Sequence, residues 1–375
     1  MARMEISSAR LPDVTVTAVV ALLTVIGLVM AFSTSKLVSS GDEVKMVTSH
    51  FQKQLLFAAI GIAAYWFAAG VAPESLRRYS ILGLVLTSVL LALVLWSPLG
   101  VMANGATRWL KIGPLPQFQP SELAKLVLVV FLADSLARRG PEKMKDFRFG
   151  FLPNLLIPGL PIALVALEKD LGTAIVMVSI ICGMVFIAGA RLKHLAGLIL
   201  LALLGIAIEI IREPYRVRRI LAFMNPEEHM LDSAFQLTQS QLAFASGGLW
   251  GAGIGSGQQK LFYLPEAHTD FVLSVWGEET GLIGTLVVIG LFMALTWRGI
   301  TIGIRQKDPY RRFLAVGITA WLAIQAAINA MVVLGAAPTK GLPLPFLSYG
   351  GTGLIVTLAA AGLLAGLARP LEEPL

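Results

Sequence analysis

The feature that limits this chain most is a succession of apolar windows, each about as long as a membrane is thick. A helix needs about 20 mostly apolar residues to cross the roughly 30 Å hydrocarbon core of a bilayer. Such windows fall near residues 12–34, 52–71, 79–97, 120–137, 172–190, 193–211, 271–297, 311–334 and 347–368. A tenth, shorter stretch at 150–167 ("GFLPNLLIPGLPIALVAL") carries Pro153, Pro158 and Pro161. Each proline forfeits a helix hydrogen bond, so this span is expected to be broken or packed against others. Composition agrees: 56% of the 375 residues are hydrophobic and 14% charged, with a mean hydropathy of +0.76. A soluble domain holds about 45–50% apolar and about 25% charged residues. The expectation is an all-α, polytopic integral membrane protein of about ten transmembrane helices, with residues 1–375 forming one domain.

The first window has full spanning length and no small-residue exit, so it reads as a first helix and not as a cleaved signal peptide. Ten spans put both ends on one side, and the positive-inside rule selects which. With the N-terminus inside, the inner segments hold Arg3, Arg10 and the basic clusters around Arg77, Arg138, Lys143, Arg191, Arg305 and Arg311. The short outer loops hold fewer basic residues, so both termini are expected in the cytoplasm. Three loops then lie outside, at about 35–51, 98–119 and 212–270, the longest between helices 7 and 8. The net charge of +7 follows from this topology and calls for no nucleic-acid partner. The single cysteine, Cys182, excludes an intrachain disulfide, and the four histidines show no metal-ligand spacing.

Ionisable residues gather at the outer ends of the spans. In "QPSELAK", Glu122 and Lys125 are i,i+3 neighbours at the mouth of the fourth span. They are either a self-neutralised pair reaching for the headgroups or the wall of a polar cavity opening outward. Asp170 in "LEKDLGTA" and Asp270 in "LPEAHTDF" each stand where a helix N-cap is favoured, and each reads as a cap or as a site residue. Weight comes from Glu122, Lys125, Asp170, His268 and Asp270 all falling at one depth. Beyond the seventh span, "REPYRVRRILAFMNP" clusters Arg212, Arg216, Arg218 and Arg219. These bind lipid headgroups or a phosphorylated substrate, because guanidinium matches phosphate oxygens bidentately. The stretch "DSAFQLTQSQLAFASGG" reads as a short helix capped by Asp232 or Ser233. "GAGIGSG" (251–257) lacks the preceding strand of a dinucleotide loop and reads as a flexible hinge. Glu278 and Glu279 lie two turns inside the eighth span, too deep for surface chemistry. At least one should pair with a cation or a polar backbone group in the bundle.

Together these stretches resemble the SEDS family, the FtsW/RodA/SpoVE proteins of the bacterial cell wall. "NAMVVLGAAPTKGLPLPFLSYGGTG", starting at Asn329, closely follows the family's C-terminal signature. "QPSELAK", "DLGTA", "PYRVRR", "ASGGLWGAGIG" and "LPEAHTDF…GEETGLIG" match its other landmarks in order. One departure is Gly353 after Thr352, where small hydroxyl residues are usual. "QKLFYLPEAHTDF" and "PTKG" look more like the FtsW branch than the RodA branch. The resemblance implies a glycosyltransferase that polymerises lipid II, working with a class B penicillin-binding protein and other divisome or elongasome membrane proteins in the bacterial inner membrane. It places the family's essential acid on Asp270, its outer-loop tryptophan on Trp109 and its cavity pair on Glu122 and Lys125.

The implied chemistry can be set against these residues. An acceptor hydroxyl attacks the anomeric carbon of an α-linked donor and yields a β-linked product, so one inverting displacement suffices. A general base must take the hydroxyl proton, and Asp270 is the candidate. A helix N-terminus would make it a weaker base, which leaves orienting the acceptor or holding a metal as its other roles. Pyrophosphate needs charge neutralisation and not a second, acidic carboxyl. Arg216, Arg219 and Lys125 are candidates for that task, as is a divalent cation (Mg2+ or Mn2+). Trp109, Lys111, Asp170, His268 and Ser348 complete the expected substrate-binding set, with Trp109 by its residue type an interfacial anchor that only the resemblance makes a site residue, and Ser348 also a candidate cap for the last helix. The competing class is a lipid II flippase. It should show internal repeats and helices broken at midplane; the sequence shows no repeat, and the fifth span is the one interrupted.

Overall fold

The computed structural model describes residues 12–35, 43–103, 105–114, 116–230, 232, 234–260 and 264–369, with 35 and 43–50 as backbone only. In chain order its α-helices are α1 (Val14–Ser35), α2 (Glu43–Gly70), α3 (Pro73–Arg78), α4 (Ser80–Trp96), α5 (Pro120–Met144), α6 (Pro153–Leu167) and α7 (Leu171–Ile187). Then follow α8 (Leu192–Arg212), α9 (Pro214–Met224), α10 (Phe235–Gly247), α11 (Val272–Arg305), α12 (Pro309–Val333) and α13 (Gly351–Leu367). All ten apolar windows are helical over most of their length; α3, α9 and α10 lie in the connections. Six helical segments among the described residues are long and apolar enough to cross a membrane by length and composition. Much of the expected first outer loop, residues 36–42, lies outside the described residues, as do Arg3, Arg10 and Ser233.

The all-α expectation needs one addition. Within 98–119, β1 (Gly100–Ala103) and β2 (Ala106–Leu110) form an antiparallel hairpin, with Gly105 at positive φ beside the turn.

At the centre lies α12, packed against α5, α7, α10, α11 and α13. Helices α2 and α13 run closely together, because Gly362 and Gly366, one turn apart, meet the backbone of Tyr65 and Ala69 directly. Small residues permit such approach where lipid offers no hydrophobic drive between helices. Helix α8 sits at the edge: none of its residues is buried, and it turns leucine and isoleucine outward on several sides. Only hydrocarbon accommodates such a helix.

Of the two alternatives for the proline-bearing span, packing against neighbours holds, and the break falls in another helix. Despite its prolines, α6 is continuous from Pro153 to Leu167. Pro153 occupies the first turn, where no donor is needed, and Pro158 and Pro161 are buried against the neighbours. The broken helix is α11, where Gly281 takes φ 70° and ψ −165°. The glycine stretch after α10 repairs the break. Ala252 and Gly253 donate to the carbonyls of Glu278 and Glu279 (both 2.9 Å), and Gly248 accepts from Leu282 N (2.9 Å). "GAGIGSG" is therefore a packed backbone junction and not a hinge.

The two acids beside the break both have partners, and one of these is a cation. Glu278 accepts from the backbone of Gln258 (2.7 Å) and Gln259, and buried Glu279 accepts from Ser33 Oγ (2.7 Å) and Lys260 Nζ. These are the pairings expected of carboxylates inside a bundle. The helix expected after residue 232 is α10, but Ala234 stands at its N-cap with no side-chain cap.

Candidate active site

Asp270 is positioned by its backbone. Residues 266–271 form a tight turn into α11, with Thr269 N and Phe271 N on the Glu266 carbonyl (3.1 and 3.3 Å). The next carbonyls are gripped in sequence by the C-terminal third of the chain. Tyr349 N donates to His268 O (2.8 Å), Ser348 Oγ to Thr269 O, and Asn329 Nδ2 to Asp270 O (2.8 Å). Three consecutive carbonyls held this way leave the Asp270 side chain little freedom in direction.

Its carboxyl does not cap α11. Phe271 is the N-cap and no side-chain cap bond is made, so the reading of Asp270 as a cap fails. With it goes the expectation of a weakened base. Burial pushes the carboxyl up to about 7, aided by Glu266 and Asp170 and opposed by Arg108 and Arg219. Oδ2 would lie 3.0 Å from a Cβ at Gly341, and Gly341 lines a cavity of about 110 Å³.

That cavity is strongly cationic. Arg108, Lys169, Arg216, Arg219 and Lys340 line it, against one acid, Asp170. On α9, Arg216, Arg219 and Ile220 share one face at i, i+3 and i+4, while Arg212 and Arg218 point away, exposed. Lys169 turns at φ 61°, a left-handed conformation costing about 1 kcal/mol or more for a non-glycine residue. Its carbonyl thereby receives Arg108 Nη2 (2.7 Å) and Arg216 Nη2 (3.3 Å). Arg216 also pairs with Glu209 and Lys169 with Glu213. No carboxylate pairs with Arg108, Arg219 or Lys340 among the described residues. Burial and Arg216 together lower Lys340, the response of a cation among surplus cations. Such a lining suits a multiply charged anion.

The other expected site residues divide. Asp170 is both cap and wall: Oδ1 accepts from Thr173 N (3.1 Å) and Oδ2 from Thr173 Oγ (2.8 Å). His268 lies with its ring 5.8 Å from that of Tyr349. Ser348 does not cap α13, where Gly350 is the N-cap; it ties Leu344 N (2.7 Å) to the Asp270 turn. Trp109 and Lys111 miss the cavity. Arg108 is the residue that a bulge leaves unpaired in β2, between Trp109 opposite Val101 and Thr107 opposite Met102, and it lines the cavity where Trp109 does not; Lys111 is exposed beyond the end of β2.

Glu122 and Lys125 neither reach for the surface nor line the cavity. Lys125 is fully buried, donates to Glu122 Oε1 (2.9 Å) and Gln325 Oε1 (2.8 Å), and lies 5.3 Å from the Trp321 ring centroid. Gln325 passes the network on, its Nε2 donating to Pro343 O (2.8 Å). One turn along α12, Asn329 holds Leu342 O and Asp270 O. The sequence reading gave no role to Arg108, Lys169, Lys340, Gln325 or Asn329. The signal for the last two was two amides four residues apart in an otherwise apolar helix.

A divalent cation finds no ready seat. No group of three or more His, Cys, Asp or Glu side chains is placed to hold a metal among the described residues, and the cavity's own cations oppose one.

The family model described as "Cell cycle protein" (FtsW/RodA/SpoVE) matches residues 13–373. This chain belongs to the FtsW/RodA/SpoVE family. Relatives include a probable peptidoglycan glycosyltransferase FtsW from Geobacter sp. (strain M18), 42% identical over 94% of this chain and 95% of the relative. Stage V sporulation protein E of Bacillus subtilis (strain 168) is 41% identical over 96% and 97%. Among solved structures, a peptidoglycan synthase complex described as coordinating polymerization and crosslinking is 30% identical, with a TM-score of 0.75 over 96% and 98% of the two chains. The rod shape determining protein RodA of Thermus thermophilus gives 28% and 0.70 over 97% and 98%. In this FtsW/RodA/SpoVE chain, part of the C-terminal signature acts as the brace behind Asp270.

Proposed function

We propose that the chain is a peptidoglycan glycosyltransferase that polymerises lipid II at the outer face of the bacterial cytoplasmic membrane. In this reading Asp270 is the general base and the cationic cavity seats the donor's pyrophosphate. One observation carries it: a carboxyl poised near neutrality lies against Gly341, in the wall of a cavity lined by five cations.

The acceptor hydroxyl attacks the anomeric carbon as the bond to the pyrophosphate oxygen breaks, and the electron pair leaves with undecaprenyl pyrophosphate. Asp270 takes the hydroxyl proton, a role worth about 10²–10⁴-fold when the base titrates near the working pH. Arg108, Arg219 and Lys340 meet the charge growing on the leaving group, with Arg216 and Lys169 behind them. Glu122, Lys125 and Ser348 act on the substrate at one remove, by setting the 338–350 segment; Trp109 and Lys111 meet it further out on the hairpin.

Residues 1–375 make one transmembrane domain with both termini in the cytoplasm, consistent with the basic residues of the inner segments. A class B penicillin-binding protein supplies the crosslinking step. The coordination of polymerization and crosslinking described for a structural relative supports that partnership, with the division machinery as its setting.

The break in α11 is the feature a flippase would share. Here its freed backbone groups are bonded to the 247–253 segment, so it supports a packed junction. Purified protein with its cognate partner, the transpeptidase blocked, should make glycan strands from lipid II. Asp270→Asn of equal folding should make none. Failure of both, with lipid II crossing liposome membranes, would favour the flippase.

A further inference from the structure

Beside the cavity lies a second acid that this chemistry leaves unused. Glu168 closes the C-terminal end of α6, one residue before the carbonyl that grips Arg108 and Arg216. It is 1% exposed, and neither carboxyl oxygen has a hydrogen-bond partner. Buried acids without partners are rare enough in native proteins to require a reason. Across from it, on β2, Arg108 has one committed nitrogen and one idle. Nη2 is held by Lys169 O (2.7 Å), and Nε is buried without a partner. The two act on each other electrostatically. Burial first, then the Asp170 carboxylate, push Glu168 up to about 9, and Arg108 draws it down. On the same turn, Lys169 spends its ammonium on Glu213 (2.7 Å), and Arg216 spends its guanidinium on Glu209. Arg219 and Lys340 also lack a carboxylate among the described residues, but Arg108 is the cation whose charge acts on Glu168.

We propose that Glu168 is a positioning residue that works through Arg108, competing with the anion in the cavity for its guanidinium. Ionised Glu168 takes Arg108 through Nε and withdraws it from the anion; protonated Glu168 leaves it in place. On ionisation the proton passes to water, and no other bond changes. A seated pyrophosphate adds negative charge beside Glu168 and holds its proton on. Without the anion Glu168 titrates at about 9, so as the pH approaches and passes that value it ionises, draws Arg108 aside and hinders binding of the anion. This rests on the reading of the cavity as the pyrophosphate seat and adds an alkaline control of its anion affinity.

The test uses inorganic pyrophosphate as an inhibitor of lipid II polymerisation by the protein with its partner. Its inhibition constant is measured at pH 7.5 and pH 9.5 for wild type and Glu168→Gln. Pyrophosphate's own titration affects both proteins alike, so the ratio of their constants isolates Glu168. The ratio of mutant to wild type is expected to fall by about fivefold or more from the lower to the higher pH, because ionisation hampers the wild type alone. Glu168→Leu, which removes the ionisable group, should lose the pH dependence in the same way and serves if the glutamine variant folds poorly. In an Arg108→Lys background the ratio should stay flat. A flat ratio in the wild-type background, with wild type clearly inhibited, overturns the role of Glu168 and spares the pyrophosphate seat. Wild type indifferent to pyrophosphate at both pH values removes the seat and the proposal together.

Discussion

Asn329 holds Asp270 by its backbone: Nδ2 donates to the Asp270 carbonyl at 2.8 Å and to the Leu342 carbonyl at 2.7 Å. One buried amide thus locks the turn before α11 to the segment before α13. Asn329→Leu would orphan two acceptors at about 1–3 kcal/mol each and free the carboxylate's direction. A displacement of about 1 Å in a reacting group can cost about 100-fold in rate. The expected result is a kcat at least tenfold lower with KM for lipid II little changed, measured on protein matched for folded fraction. A raised KM with kcat intact would place Asn329 in substrate binding instead.

Asp270 should govern the pH dependence. Its carboxyl is pushed up to about 7, and a base must be ionised, so polymerisation should rise about tenfold per pH unit below 7 and level off above. The stability sign runs the other way. A carboxyl whose folded pKa exceeds its unfolded value holds its proton more tightly when folded. The native state is therefore penalised progressively as pH rises from about 4 to about 7, by at most about 4 kcal/mol above that. Asp270→Asn escapes the penalty, so above pH 7 it should melt higher in detergent than wild type while making no strands. A mutant less stable than wild type would contradict the pKa.

The windows near 20 residues were legible because a bilayer forces backbone hydrogen bonding to close within each helix. Asp270, Arg216 and Arg219 were legible because charge beside a membrane is expensive without a use. What hid was pairing across the fold. Gly281 looks like any glycine in an apolar run, and only contact with the 247–253 segment makes it a break. Arg108 was overlooked beside Trp109 because a two-stranded hairpin with a bulge at Arg108 was not foreseen. Glu122 and Lys125 sit at helix spacing near a mouth, and nothing local tells that Gln325, 200 residues away, closes over them.

That closed network makes a further prediction. Removing one partner of a buried ion pair costs about 3–5 kcal/mol, whereas replacing both with apolar groups is often neutral. Lys125→Met should therefore destabilise the protein severely, and Glu122→Leu with Lys125→Met should restore most of its thermal stability. If the pair serves Asp270 through Gln325 and Pro343, the double variant should also recover part of the polymerisation rate. Full stability with no activity would indicate direct work on the substrate.

Arg219 should report the anion. It has no carboxylate partner among the described residues and a long bond (3.5 Å) to Thr339 O, so its removal disturbs little of the fold. A charge-assisted hydrogen bond is worth about 1.5–3 kcal/mol, which corresponds to roughly 10- to 100-fold in the KM for lipid II on Arg219→Ala. Melting should shift by less than about 2 °C, whereas Arg216→Ala, which leaves Glu209 only the more distant Arg212 (3.5 Å), should lower both affinity and stability.

The junction at the α11 break can be separated from a hinge by two glycines of one motif. Gly251 has φ 83° and Gly255 φ 87°, so alanine at either position carries a similar left-handed cost of about 1–2 kcal/mol. They differ in surroundings. A Cβ on Gly251 would run into the carbonyl of Glu279, whereas one on Gly255 meets nothing within 4 Å. A packed junction therefore predicts that Gly251→Ala melts several degrees below Gly255→Ala, because it must also part the 247–253 segment from the broken helix. Its displacement should carry to Glu278 and Glu279, which hold Gln258 and Lys260 on the path to Asp270, so polymerisation should fall as well. Equal melting temperatures for the two variants would mean that the segment bends freely, as a hinge does, and that the bonds across the break contribute little.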